Sequence, residues 1–138
     1  MAIKQISVFI PNQKGSLGNL TYIFYTSHID IRALSVYDTL EYGILRAVVD
    51  KPEEAVQVLK DNGLVAKIST VLAVNPEDEK GSLSRIFNIL GDNDINIDYI
   101  YSFVAKEEDE QYFVLKVGDV ARAEALLEQN AIRVKKEL

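Results

Sequence analysis

Alternating apolar positions at Ile6, Val8 and Ile10 predict a strand over residues 3–10, which Pro11 ends. The spacing then changes to a helical one. Leu17, Leu20, Ile23 and Phe24 fall on one side of a helix that follows the loop Pro11-Asn12-Gln13-Lys14-Gly15, takes Ser16 as its N-cap and stops near Ser27 or His28. Ile29, Ile31 and Ala33 open a second strand that reaches Tyr37; Asp38-Thr39-Leu40-Glu41 makes a turn, and Tyr42 to Val49 is a third strand. Asp50 is placed to cap the next helix, Pro52 sits in its first turn, and Ala55, Val56 and Leu59 form its apolar side. Asn62-Gly63 stops that helix, and Leu64 to Ile68 adds a short fourth strand. The order is βαββαβ.

The same order then repeats. A strand from about Ser69 to Val74 leads through Pro76 to Gly81, and a helix runs from Ser82 to about Asp92 with Leu83, Ile86, Phe87 and Leu90 on one face. Ile97 to Val104 and Gln111 to Val117 are strands. Asp119 caps a helix carrying Val120, Ala123, Leu126 and Leu127 that stops near Asn130, and Ile132 to Lys135 is the last strand. Laid on itself at a shift of 66, the chain matches Gly15-Ser16-Leu17 to Gly81-Ser82-Leu83, Leu20 to Ile86, Ile23 to Ile89, Ile29 to Ile95 and Ile31 to Ile97. A shared period of this kind marks two copies of one module, residues 1–68 and 69–138. Past the hairpin the offset grows to 69, where Asp50 meets Asp119, so the second hairpin is three residues longer; the extra residues lie in Glu107-Glu108-Asp109-Glu110. Leu64 to Val74 holds neither Gly nor Pro, which predicts a rigid joint rather than a linker. A module of this size is marginal alone, so each copy should pack on the other or on a partner chain.

Composition narrows the function classes. Apolar residues make up 48% of the chain, enough for a core, and the net charge is −6. Residues 1–66 carry six Lys/Arg and seven Asp/Glu, residues 67–138 nine and fourteen, so the acidity is concentrated in the second copy. Its run at 107–110 reads as a solvated turn. This balance excludes the basic footprint of a nucleic-acid binder and disfavours an anionic membrane surface. With no Cys, there is no disulfide, thiolate metal site or Cys nucleophile. The N-terminus enters a strand pattern directly, without an apolar secretion segment, and no apolar run is long enough to span a bilayer; a cytoplasmic location is expected.

Catalytic constellations are scarce. His28 is the only His and sits at a helix end, where interaction with the helix dipole accounts for it. A His-based relay or His-rich metal site is not available, no cofactor is called for, and neither Gly-Ser-Leu step belongs to a phosphate-binding Gly-Lys-Ser/Thr loop. What remains is the loop before each first helix. Gly15 and Gly81 permit a turn other residues resist, the amides at a helix start can hold a carboxylate, and Ser16 and Ser82 add hydroxyls. Asn12 and Asp78 stand three residues before each glycine, and Asp30 and Asn96 stand where the second strands begin. Together these supply donors for the carboxylate and acceptors for the ammonium of an amino acid. The same residues also suit an ordinary capped helix start.

The segment types resemble the ACT domain family: Asn12-Gln13-Lys14-Gly15-Ser16-Leu17 between strand and helix, then Ile29-Asp30-Ile31, and in the second copy Asp78-Glu79-Lys80-Gly81-Ser82-Leu83, then Ile95-Asn96-Ile97. The resemblance covers nearly the whole chain, in tandem. It implies an α+β fold of two ferredoxin-like modules side by side, with an antiparallel eight-stranded sheet and four helices on one face. It further implies a regulatory sensor, not an enzyme, that binds a free amino acid or similar small carboxylate. The ligand would sit at the seam between modules, the glycine loop of one facing the second strand of the other. On that reading the ligand-binding positions are Asn12, Gln13, Lys14, Gly15, Ser16, Leu17, Asp30 and Ile31 in the first copy, and Asp78, Lys80, Gly81, Ser82, Leu83, Asn96 and Ile97 in the second. A homodimer and a regulated enzyme partner are implied as well. Lys14 and Lys80 occupy a place where the family often has Pro, so the loop caps differ from the usual pattern. Asn12 corresponds to Asp78 and Asp30 to Asn96, so the paired sites should be unequal in charge. Two other readings stand beside this one. One is a structural or oligomerising module acting through its strand edges and Tyr22, Tyr25, Tyr37, Tyr42, Tyr99 and Tyr101, which otherwise read as half-buried fill; the other is a small enzyme on the same scaffold.

Overall fold

The structure is a computed structural model that describes residues 3–38, 41–105 and 108–137. The predicted turn at Thr39-Leu40 and the start of the acidic run at Glu107 lie outside the described residues. The elements are β1 (Ile3–Pro11), α1 (Ser16–Thr26), β2 (Ile31–Asp38), β3 (Tyr42–Val49), α2 (Pro52–Asp61), β4 (Val65–Asn75), α3 (Ser82–Asp92), β5 (Ile97–Ala105), β6 (Glu110–Val117), α4 (Val120–Gln129) and β7 (Arg133–Lys135). The fold is α+β, with the ferredoxin-like order in each copy. Among the described residues seven strands are present where eight were expected, because the fourth strand of the first copy and the first strand of the second are one continuous strand, β4. The Gly- and Pro-free run at Leu64–Val74 gives the backbone no reason to leave the extended conformation there.

Contacts group Lys4–Ser69 into one compact unit and the chain from Thr70 on, together with Ile3, into another. In the first unit the strand order is β2-β3-β1-β4, and in the second β7-β4-β6-β5. The first unit's core takes Ile6, Val8 and Ile10 from β1, Leu20, Ile23 and Phe24 from α1, Leu45, Ala47 and Val49 from β3, and Ala55, Val56 and Leu59 from α2. The pairs Ile6–Ala47 and Val8–Leu45 stand opposite one another in the ladder, which keeps the alternation of both strands on one face. The second unit's core is built alike from Leu72, Val74, Ile86, Leu90, Leu115, Val117, Ala123 and Leu127. Phe87, assigned to the buried face of α3 by periodicity, is exposed, and Ile89 packs on the core in its stead. Four of the six tyrosines expected as half-buried fill are likewise exposed: Tyr22, Tyr25, Tyr37 and Tyr42.

All four helices end in the same way. The residue two past each helix adopts a left-handed conformation, and the next amide reaches back into the last turn: Ile29 to the Phe24 carbonyl (2.9 Å), Leu64 to Leu59 (3.0 Å), Ile95 to Leu90 (2.9 Å) and Ile132 to Leu127 (3.0 Å). The left-handed residues are His28, Gly63, Asp94 and Ala131, so only one is the glycine that such a stop favours. The apolar residue following each stop is buried or packs against its module's core, as this motif requires. This explains why β2 begins at Ile31 rather than Ile29: Ile29 serves the helix stop. Among the described residues no helix is long and apolar enough to cross a membrane.

Candidate functional site

Each glycine loop joins the end of an interior strand, β1 or β4, to the start of a helix. Gly15 has φ 89° and ψ −8°, and Gly81 has φ 89° and ψ −5°. Both are left-handed, which is the conformational freedom the repeat pattern pointed to. The helices therefore start one residue earlier than Ser16 and Ser82 as caps would place them. Gly15 and Gly81 are the N-caps, their carbonyls accepting the first helical bonds from Asn19 and Arg85 at 2.9 Å each. Ser16 is the first residue of α1, and the Ser82 hydroxyl donates to the Glu79 carbonyl at 2.9 Å and braces the loop behind the start of α3. The first-turn amides of α1 and α3 have no helical carbonyl to bond, and those of Ser16 and Ser82 turn back to the loop carbonyls of Gln13 (3.2 Å) and Glu79 (3.4 Å).

Two hollows flank the second loop. The smaller, about 240 Å³, is lined by Asn75 to Glu77, Glu79 to Ser82, Arg85, Ile86 and Ala131 to Arg133. The larger, about 630 Å³ and more open, is lined by the loop from Asn75 to Glu79, by Gly81 to Ser84, and by Asp109, Glu110, Gln111 and Phe113. Their charges differ. The cations Lys80, Arg85 and Arg133 border the smaller hollow alone, Glu77 and Glu79 border both, and Asp78, Asp109 and Glu110 border the larger one alone. Among the described residues no cluster of three His, Asp or Glu is arranged to hold a metal ion.

The longer hairpin supplies part of this wall. Glu108 and Glu110, read from sequence as a solvated turn, are instead engaged: Glu108 pairs with Lys135, and Arg133 forks onto Glu110 at 2.8 and 3.2 Å. Both carboxylates converge on the hydroxyl of Tyr112, at 2.8 Å from Glu108 and 3.1 Å from Glu110. Tyr112 is only 2% exposed, stacks on Phe103 at 5.6 Å, and carries Lys135 over its ring at 5.0 Å. Burial and the two carboxylates push its phenol well above the ordinary range, while Lys135 and then Tyr112 hold Glu108 below the usual carboxylate value, and Arg133 and then Tyr112 do the same for Glu110. The reason the turn is not merely solvated is that β7 brings two cations beside it, a long-range pairing that residue spacing does not reveal.

Of the sequence-derived positions, Asn12, Gln13, Lys14, Gly15, Ser16 and Leu17 gather at the first loop, and Asp78, Lys80, Gly81, Ser82 and Leu83 at the second. Asp30, Ile31, Asn96 and Ile97 lie elsewhere in their own modules. Pro11 faces Tyr42 at one end of β3 and Ile31 faces Val49 at the other. Seven residues of strand separate the two, about 23 Å at the usual rise. A ligand held by the glycine loop of a module does not reach the second-strand start of that same module. There Asp30 is tied locally: its amide donates to Asp50 Oδ1 at 2.9 Å, the Asp50 amide returns to its carbonyl at 3.1 Å, and Arg32 pairs with its carboxylate at 3.1 Å. Asp50 thus spends its side chain on this clasp, and Lys51, not Asp50, is the N-cap of α2. The Asn96 amide donates to Asp98 at 3.1 Å. Sequence reasoning missed Arg85, Glu110, Phe113 and Arg133 as lining residues. The one available signal was that the extra hairpin residues fall in the same copy as the denser charge.

The chain matches the family model described as an ACT domain pair over residues 1–137. A crystal structure of a Bacteroides thetaiotaomicron protein is similar over 98% of this chain and 92% of that one, with 26% identity and a TM-score of 0.89. The ligand-free regulatory subunit of aspartate kinase from Thermus thermophilus follows at 17% identity and a TM-score of 0.70, covering 95% of this chain and 92% of its own, and the Thermus flavus subunit at 17% and 0.67, covering 93% and 90%. No curated protein matches significantly. The duplicated βαββαβ order, the two left-handed glycine helix starts and the full-length family match agree: the chain belongs to the ACT domain pair family.

Proposed function

We propose that this ACT domain pair is a small-molecule sensor that binds a free amino acid, or a similar small carboxylate, at its glycine loops and acts by biasing a partner contact or its own assembly. The observation that carries the reading is the Gly81 loop. It combines a left-handed glycine at the head of α3, first-turn amides without a helical carbonyl, and two hollows, one bordered by Lys80, Arg85 and Arg133 and the other by Asp78, Asp109 and Glu110, with Glu77 and Glu79 on both. A zwitterion has groups for both. Support also comes from the family and from the fold shared with the regulatory subunits of aspartate kinase. The unequal polar residues, Asn12 against Asp78, make the second loop the stronger candidate of the two. Asp30, Ile31, Asn96 and Ile97 would contribute only to a ligand held by a loop other than that of their own module. On this reading the protein is not an enzyme, is cytoplasmic, and works as a homodimer or with a regulated enzyme.

Thermal melting against each of the common L-amino acids at millimolar concentration is the test. A ligand present at about 100 times its dissociation constant stabilises the native state by about 2.7 kcal/mol, a readily visible shift. A flat response to every amino acid would overturn the reading.

A further inference from the structure

A sensor needs more than a binding site, because occupancy must also be felt elsewhere in the molecule. Glu110 lines the larger hollow and Arg133 the smaller, and the two are joined as a forked ion pair. Both also touch Tyr112, since Arg133 Nη2 donates to the phenol oxygen at 3.2 Å and the phenol lies 3.1 Å from Glu110 Oε2. Tyr112 borders neither hollow, yet its ring stacks on Phe103 of β5 and its hydroxyl reaches Glu108 at the hairpin. One ion pair is thus the shared wall of both hollows and the bracket of a buried tyrosine.

We propose that the Glu110–Arg133–Tyr112 assembly is the read-out of the Gly81 hollows: a bound amino acid draws Glu110 and Arg133 to itself, the fork that ties β6 to β7 opens, and Tyr112 is left with Glu108 alone. This read-out rests on amino-acid binding at the Gly81 loop. The physical logic is a difference in what each group loses. Glu110 and Arg133 are partly exposed, and a pair of that kind holds its partners weakly in water. A ligand ammonium in the acidic hollow replaces Arg133 as the partner of Glu110, and a ligand carboxylate in the cationic hollow replaces Glu110 as the partner of Arg133. Made together, the two exchanges keep both charges paired. Tyr112 gains nothing from it: its hydroxyl keeps Glu108 at 2.8 Å, but the buried phenol oxygen loses the Arg133 donor, and an acceptor left without its donor is costly. The neutral phenol, favoured by burial and by the two carboxylates, has one hydrogen to donate, and Glu108 remains to accept it. Occupancy is thereby converted into loosening of residues 108–112 against β7.

The test is hydrogen exchange read by mass spectrometry on the full chain, with each common L-amino acid at millimolar concentration as the probe. For the amino acid that binds, exchange over residues 81–86 slows, while exchange over residues 108–112 becomes about tenfold faster, the change that loss of roughly one hydrogen bond's worth of local protection produces. In Tyr112→Phe, protection at 81–86 persists, but residues 108–112 exchange fast without ligand and do not respond to it. Arg133→Gln, which leaves the phenol in place, gives the same fast hairpin. Slower or unchanged exchange at 108–112 in the ligand-bound wild type overturns the read-out while leaving binding intact. So does an unaltered hairpin response in Tyr112→Phe. Absence of protection at 81–86 with every amino acid removes the binding reading itself, and the read-out with it.

Discussion

Replacing Gly81 and Gly15 by alanine, one at a time, asks whether the two loops are built on the same backbone requirement. The positions have the same φ of 89° and ψ values of −5° and −8°. A Cβ added at either meets no atom within 4 Å, so no clash contributes and the penalty is that of the backbone alone. Holding an L-residue in the left-handed region costs about 1–2 kcal/mol. Alanine also restricts the unfolded chain, which returns about 0.4–1 kcal/mol. The net expectation is a destabilisation of about 1 kcal/mol for each variant, equal within about 0.5 kcal/mol. Urea denaturation followed by tyrosine fluorescence checks this as a lowered midpoint with an unchanged slope. A neutral or stabilising result for either variant would refute the left-handed assignment. A loss above about 4 kcal/mol would show that the added methyl meets packed atoms, against the geometry.

Three further outcomes come from the geometry. Ala131→Gly relieves a left-handed alanine at the end of α4 (φ 59°) and should raise stability by about 0.5–1 kcal/mol on the same strain argument, visible as a higher melting temperature. Asp119→Ala removes the one side-chain N-cap bond among the described helices, to the Arg122 amide at 3.1 Å, and should lower stability by about 1 kcal/mol in urea denaturation. The Tyr112 assembly predicts a pH response at both extremes. Because Lys135 and Arg133 depress the carboxyls of Glu108 and Glu110 in the folded chain, their stabilisation is present above the ordinary glutamate value of 4.5 and is lost as pH falls through the lowered folded values. Because the Tyr112 phenol is raised, its share is present below the ordinary 10.0 and is lost as pH rises through the folded value. Amide NMR signals of residues 108–112 should broaden in acid before those of the core, and ultraviolet titration should find one tyrosine ionising after the others.

Much of this was legible from residue types alone. Period and punctuation placed every helix and nearly every strand, since Pro11, Gly15, Gly63 and Gly81 interrupt strongly patterned segments. The repeat exposed the duplication, and with it the loops. The misreadings share a cause: each depended on partners far away in sequence or on a rival for the same role. Asp50 looks like a cap but faces Asp30, 20 residues distant, because antiparallel pairing of β2 and β3 brings their ends together. Glu108 and Glu110 look solvated but face β7, because the strand order sets β7 beside β4 at the same end of the sheet. Ser16 looks like a cap because its side chain suits the role, yet the freedom of Gly15 lets the helix begin one residue sooner. Local propensity cannot see such competition, whereas Asp119, which has no rival partner, caps as its residue type foretells.

The most direct test of the sensing reading is an amide NMR titration of isotope-labelled protein with the common L-amino acids, one by one. The account predicts that one or a few produce saturable shifts centred on Gly81, Ser82 and Leu83, with smaller or absent shifts at Gly15, Ser16 and Leu17. Unmoved loop amides with every amino acid at millimolar concentration would contradict it, as would saturable shifts confined to residues away from both glycine loops.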